Sequence, residues 1–260
     1  MKYLITLLAA SFALIAFNFL KPEKMIASNA FDWKIIGLEQ QSYSESKQVL
    51  TGPSDGFKNL TISIVNIDVN DKFVISETKT GPESLVIIKS GTTHQVTGEI
   101  NKALGTGSVS LMMPGDELTI TNVGQTVTTL YLLSWSIRDA ENAETHTPFT
   151  SHLINWDDIE FVETEKGGRR NIIREPTSML REFEMHVTTL KEGMRSHLPH
   201  THIDEEVILV RHGDVEEHID GELHEVGAGS FIFLRSMIPH GIRNIGTGEA
   251  EYYAFKWAPR

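Results

Sequence analysis

The 260-residue chain contains no cysteine. Disulfide staples, thiolate zinc sites and cysteine nucleophiles are therefore excluded. Neither a P-loop nor a dinucleotide-binding glycine pattern occurs, and His224-Glu225 is not followed by the second histidine that a helical zinc-protease motif requires. Positive charge is scarce, with 23 Lys and Arg against 35 Asp and Glu for a formal net charge of −12. Such a surface repels phosphate backbones and anionic lipids, so nucleic acid is not an expected partner. After residue 30 no stretch sustains an apolar period of about 3.6 residues, so long amphipathic helices are not expected either.

Long apolar runs are also lacking, except one. Lys2 leads into the mostly apolar segment Tyr3 to Leu20, which Lys21, Pro22, Glu23 and Lys24 close. This reads as a secretory signal or an uncleaved N-terminal anchor, with Ser28-Asn29-Ala30 as a small-x-small cleavage site. The expectation is an exported protein, periplasmic or extracellular, or one tethered by residues 3–20; contact with a membrane is expected only through that segment. Without residues 1–30 the chain holds 20 basic and 34 acidic residues, a net charge of −14.

What the chain does have is self-similarity. A shift of 122 residues lays 78–135 on 200–257 without a gap. Glu83 then falls on Glu205, Gly91 on Gly213, Gly107 on Gly229, Ser108 on Ser230, Asn122 on Asn244, Tyr131 on Tyr253 and Trp135 on Trp257. Glycine and asparagine recur where turns belong, and the aliphatic runs LVIIK and VILVR superimpose. Two copies of one domain are expected, at 31–145 and 146–260, joined by the polar stretch 138–148. Each copy is a series of short β-type runs between Gly, Asn, Asp and Pro turns, which predicts an all-β fold of the sandwich or barrel kind.

The densest chemistry lies in SHLPHTHIDEEVILV, residues 196–210. Three histidines and three acids run directly into four aliphatic residues. Such groups are costly to bury unless something neutralises them, and a metal ion is the leading candidate. Side chains alternate faces along a strand, so on a continuous strand His200, His202 and Glu206 would share one side, with Ile208 and Val210 carrying that face into the core. His240, after Pro239 in the later segment GAGSFIFLRSMIPHGIRN, supplies a fourth candidate.

The pattern His200-x-His202-x-x-x-Glu206, followed after six residues by Gly213, resembles the first motif of the cupin superfamily. Gly229 through Pro239-His240-x-x-x-Asn244 resembles the second, and two such domains in one chain resemble a bicupin. Six residues rather than five separate Gly193 from His200, and Leu234 and Ser236 stand where Pro and Gly are usual; neither departure touches a candidate ligand. The resemblance implies tandem jelly-roll barrels of the double-stranded β-helix kind. It also implies a metal held by His200, His202, Glu206 and His240. In the first copy Thr78, Thr80, Ser84 and Leu118 occupy the corresponding positions, so that domain is expected to be metal-free.

Three imidazoles and a carboxylate suit Mn, Fe, Ni, Co or Zn, and four protein ligands in an octahedral shell leave two positions for water or substrate. His197, His212, Arg235 and Arg243 are the further candidates for the pocket wall, the arginines as bidentate carboxylate holders. Asp204 and Glu205 read as solvated turn residues. The expected function is a metalloenzyme acting on a small oxygen-rich molecule, a carboxylate or sugar derivative, as dioxygenase, lyase, isomerase or hydrolase. The alternatives are a non-catalytic sugar or sugar-acid binder and a storage cupin. A homodimer paired through strand edges is expected by analogy with the family.

Overall fold

The computed structural model describes residues 24–37, 44–138 and 149–259. The expected signal or anchor at residues 3–20, and the expected connection apart from Arg138, lie outside the described residues.

The fold is nearly all β, as the closely spaced β-type runs predict. Leu180–Leu190 shows how the sequence dictates this: its residues are alternately buried and partly exposed, so one face meets the core. Glu83–Ser90 is instead buried along most of its length, because both its faces are covered. Strand bounds keep the 122-residue spacing. Glu83–Ser90, Thr92–Thr97, Ile100–Gly105 and Thr128–Ile137 recur as Glu205–His212, Asp214–Ile219, Glu222–Gly227 and Ala250–Pro259. At the turn between the first two strands of each set, Gly91 and Gly213 take φ of +106° and +77°. A side chain there would also strike a neighbour, since a Cβ on Gly213 would lie 2.9 Å from the Ala250 backbone.

Each set of strands forms a barrel from a large and a small antiparallel sheet. The first barrel's large sheet runs His152–Ile154, Val109–Met112, Glu83–Ser90, Thr128–Ile137, Phe57–Ile67 and Glu45–Gly52. The second barrel's runs Asn29–Phe31, Phe231–Leu234, Glu205–His212, Ala250–Pro259, Leu180–Leu190, Gly167–Glu175 and Val162–Thr164. The edge strands are exchanged: Asn29–Phe31 pairs with Phe231–Phe233 of the second barrel, and His152–Ile154 with Val109–Leu111 of the first. The boundaries 31–145 and 146–260 therefore do not partition the molecule in space. Each barrel is completed by chain that precedes the other.

The exchange also bears on the N-terminus. Ile26 is buried, its N–H donates to the Pro53 carbonyl at 2.9 Å, and Ser28 Oγ accepts from the Arg235 N–H at 2.9 Å. Cleavage after Ala30 would remove this anchor and two of the three residues of an edge strand. Ser28, Asn29 and Ala30, the expected cleavage site, are thus built into the fold of the full chain.

The largest apolar cluster lies between the barrels. Trp135 and Trp257, equivalent under the repeat, sit with ring centroids 5.9 Å apart, and Phe57 and Phe183 pack against them. Full burial of each such ring is worth about 2–3 kcal/mol, so docking the barrels is a substantial part of the fold's stability. The first barrel's interior is closed by Val86, Leu118, Ile120 and Leu130. The second's is filled at one end by Val210, Val215, Ile232 and Leu234, and the other end opens into the candidate site.

Candidate metal centre

Two backbone features bring the histidines together. His200 and His240 form an isolated antiparallel bridge, each N–H donating to the other's carbonyl at 3.0 Å, which sets their ring centroids 4.7 Å apart. His202 follows in irregular chain, tied down by the Met237 N–H, which donates to its carbonyl at 2.8 Å. The expected continuous strand is therefore corrected. His200 is a bridge residue, His202 lies in coil, and the strand starts at Glu205, so the shared side arises from the bridge and the loop rather than from unbroken alternation.

One potential ligand nitrogen each from His200, His202 and His240 lies within 4.8 Å of the others. The Glu206 Oε2 lies 3.0 Å from His202 Nε2 and 3.3 Å from His240 Nε2. The tautomers follow from the partners. His202 Nδ1 meets the Asp204 carbonyl at 2.7 Å and His240 Nδ1 the Ile238 carbonyl at 2.8 Å. A carbonyl can only accept, so each Nδ1 carries a proton, and each Nε2 faces Glu206, donating to it when the ring is protonated and offering a lone pair when the ring is neutral.

Lone pairs and a carboxylate converging in this way repel unless a cation lies among them, a proton or a metal ion. His240 Nε2 is buried and makes no hydrogen bond of good geometry despite its closeness to Glu206. Both features fit a metal ligand set whose rings are oriented by carbonyls on their far side. Burial works to raise the Glu206 carboxyl, but the imidazoles of His202 and His240 outweigh it and hold the group down at about 2. The hydrogen bond to Glu206 raises His202, while burial lowers His200 and His197.

These four residues form one wall of a cavity of about 320 Å³. Ile208, Ile242, Tyr252 and Ala254 make its apolar lining, and His186, Arg169 and Lys256 also reach it. Burial holds the His186 imidazole down at about 4, so it is neutral near pH 7. Glu184 steadies the cations: its Oε1 accepts from Arg169 at 3.0 Å and its Oε2 lies 3.8 Å from Lys256 Nζ.

Of the further pocket candidates, only His197 belongs there, its ring centroid 4.0 Å from that of His200. His212 is exposed: a bulge between Val210 and His212 shifts the register and breaks the alternation that pointed it inward. Arg235 turns away to bind Asp55 through two hydrogen bonds, of 3.0 and 2.5 Å. Arg243 pairs with Glu216 at 3.0 Å on the neighbouring strand. Glu205, expected in solvent, is buried against the first barrel, accepting from Ser54 Oγ and from the Asp55 and Gly56 N–H groups.

Several wall residues, Arg169 and Lys256 among them, escaped the sequence reading. Glu217 sits at an inward position of the alternating strand Asp214–Ile219, a signal available in the sequence as an acid in apolar phase with Val215 and Ile219. His186 lies in Leu180–Leu190, and its inward placement depends on how that strand packs.

Residues 186–256 match the family model described as "Cupin domain". That stretch, most of the second barrel, is a cupin domain. Its overall fold is similar to that of a Pseudomonas aeruginosa protein described as glyoxylate induced, at 16% identity and TM-score 0.70, covering 92% of each chain. It is similar also to oxalate decarboxylase of Lactobacillus farciminis in a formate complex, at 10% identity and TM-score 0.69, over 91% of this chain and 88% of that chain. A cupin 2 conserved barrel domain protein of Leptotrichia buccalis aligns at 14% identity and TM-score 0.57, over 90% of this chain and 98% of that one. No protein of curated function matches the chain in sequence.

Proposed function

We propose that the second barrel is a metal-dependent active site for a small oxygen-rich molecule, a carboxylate or sugar acid. The observation that carries this reading is the meeting of three imidazoles and the Glu206 carboxylate on the wall of a cavity that also holds apolar, acidic and basic side chains. His200, His202, Glu206 and His240 would hold the ion, which when bound supplies a Lewis acid with open positions for substrate oxygen. The other residues bind, orient and exclude water. Arg169 and Lys256 keep positive charge near the cavity and favour an anionic ligand. Ile208, Ile242 and Ala254 limit water and strengthen every polar contact inside. Neutral His186 is available to accept a proton from a bound ligand.

A second reading, a non-catalytic binding cupin, is favoured by the first barrel. There Leu118 is fully buried where the second barrel has His240, so the scaffold persists without ligand residues. Export through residues 3–20 remains part of the proposal.

Elemental analysis of the purified protein, followed by mass spectrometry of its incubations with small carboxylates and sugar acids, separates the readings. Stoichiometric transition metal and product formation are expected. Stabilisation by a ligand with no product formed would favour the binding module, and absence of metal after growth in metal-replete medium would overturn both. Oxygen uptake with bound iron would assign a dioxygenase; manganese or zinc without uptake would assign lysis, isomerisation or hydrolysis.

A further inference from the structure

Glu217 is fully buried, it lines the same cavity as the histidine cluster, and neither of its carboxyl oxygens makes a hydrogen bond of good geometry, although the Gly241 N–H acts on the carboxyl. A carboxyl in that condition is costly: leaving a buried polar group unsatisfied forfeits its hydration with nothing in return.

The other barrel supplies an internal comparison. Under the 122-residue shift Glu217 corresponds to Gln95, which is equally buried. Gln95 is satisfied by its own protein, accepting from Ser110 Oγ at 2.6 Å and donating to Thr93 Oγ1 at 3.1 Å. The residues corresponding to those two partners in the second barrel are Ile232 and Val215, which offer no polar atom. The same inward position is thus satisfied by side chains in the barrel without ligand residues and left without side-chain hydrogen-bond partners in the barrel that has the histidines. What differs between the two is the cavity.

We propose that Glu217 contacts the bound ligand directly, hydrogen-bonding an oxygen of a small carboxylate whose other end lies against the histidine cluster. This rests on the reading of the cavity as a carboxylate site. No cationic side chain pairs with Glu217 among the described residues, and its burial, against the weaker opposing influence of the Gly241 N–H, pushes it well above the ordinary carboxylate range. It therefore enters the complex as the acid and donates its O–H, while its carbonyl oxygen can accept from a hydroxyl or hydrate on the ligand. A dicarboxylate or 2-oxo acid, with acceptor oxygens at both ends, is the ligand class that answers both the cluster and this acid.

The test uses the full chain and two variants, Glu217→Leu and Glu217→Gln. In metal-free protein Glu217→Leu is expected to raise Tm by roughly 2–6 °C, because it removes an unsatisfied buried group. A fall in Tm in both variants would mark Glu217 as a structural carboxyl and overturn the proposal. Calorimetric titration of the Mn2+-loaded protein with oxalate and with malonate supplies the second readout. Glu217→Leu is expected to keep full Mn2+ stoichiometry and to lose roughly tenfold or more in dicarboxylate affinity. Glu217→Gln, which still donates a hydrogen bond, should stay within about threefold of wild type. Equal affinity in Glu217→Leu and wild type, or equal loss in both variants, overturns the donor role. A wild type that takes Mn2+ but neither dicarboxylate overturns the carboxylate assignment. A wild type that takes no Mn2+ fails the metal reading instead, and the Tm comparison still decides whether Glu217 is a structural residue.

Discussion

Glu83 and Glu205, 122 residues apart, each reach out of one barrel into a loop of the other. Glu83 accepts from Thr177 Oγ1, Ser178 Oγ and the Met179 N–H, and Glu205 from Ser54 Oγ and the Asp55 and Gly56 N–H groups. Tyr131 and Tyr253 repeat the reciprocity, donating to the Gly229 and Gly107 carbonyls at 2.7 and 2.8 Å. The two barrels are thus held like subunits of a symmetric dimer within one chain. Glu205→Ala would leave three donors without their acceptor. It should cost about 3 kcal/mol, read as a lower midpoint in urea denaturation. A cost below about 0.5 kcal/mol would mean that water replaces the carboxylate without loss.

Removing one imidazole should disarm the candidate centre without harming the fold. His240→Ala and His202→Ala are each expected to lower metal content at least tenfold by elemental analysis, with circular dichroism unchanged. Arg243→Ala and His212→Ala should retain metal, since neither side chain reaches the cavity. Full metal in His240→Ala would remove the central role assigned to this residue.

His186 provides an acid switch of stability. Its folded value of about 4 lies below the ordinary 6.5, so the unfolded chain binds the proton more readily. The associated stability is fully present above pH 6.5 and is lost as pH falls toward 4. The full difference corresponds to about 3 kcal/mol at most. His186→Gln, which does not titrate, should therefore show a flatter stability curve than wild type between those two pH values when denaturation midpoints are compared. Parallel curves would contradict the assignment.

The N-terminal anchor gives a prediction about length. A chain starting at Lys24 should match the full-length protein in thermal stability. One starting at Phe31 loses buried Ile26, the Ser28 bond to Arg235 and most of an edge strand, and should fall by several kcal/mol. If the chain is exported and processed, mass spectrometry of the mature protein should find its first residue at or before Lys24. A mature terminus at Phe31 in a fully stable protein would refute this role for the anchor.

Much of this was legible in the sequence because it is carried by local pattern. Short alternating runs predict strands, and the recurring glycines mark turns that only positive φ can close. The His-x-His-x-x-x-Glu spacing put three of the four candidate ligands near one another, and the later Pro-His supplied the fourth. Residue parity carried the reading only as far as the strands stayed regular. It failed for His212 at the bulge after Val210, and it gave the right grouping of His200, His202 and Glu206 through a strand that is not continuous.

The sequence by itself determined the strand spacing, the barrel type and the donor atoms available to a metal. Tertiary structure alone decided which barrel received each edge strand, why Glu205 on an outward face is buried, and why Glu217 on an inward face has no side-chain hydrogen-bond partner. Those outcomes depend on residues distant in the chain, such as Ser54 opposite Glu205, 151 positions away, or Asn29 beside Phe233. Local alternation says which way a side chain points; only the packed neighbour across the gap determines whether it meets water, a partner or a cavity.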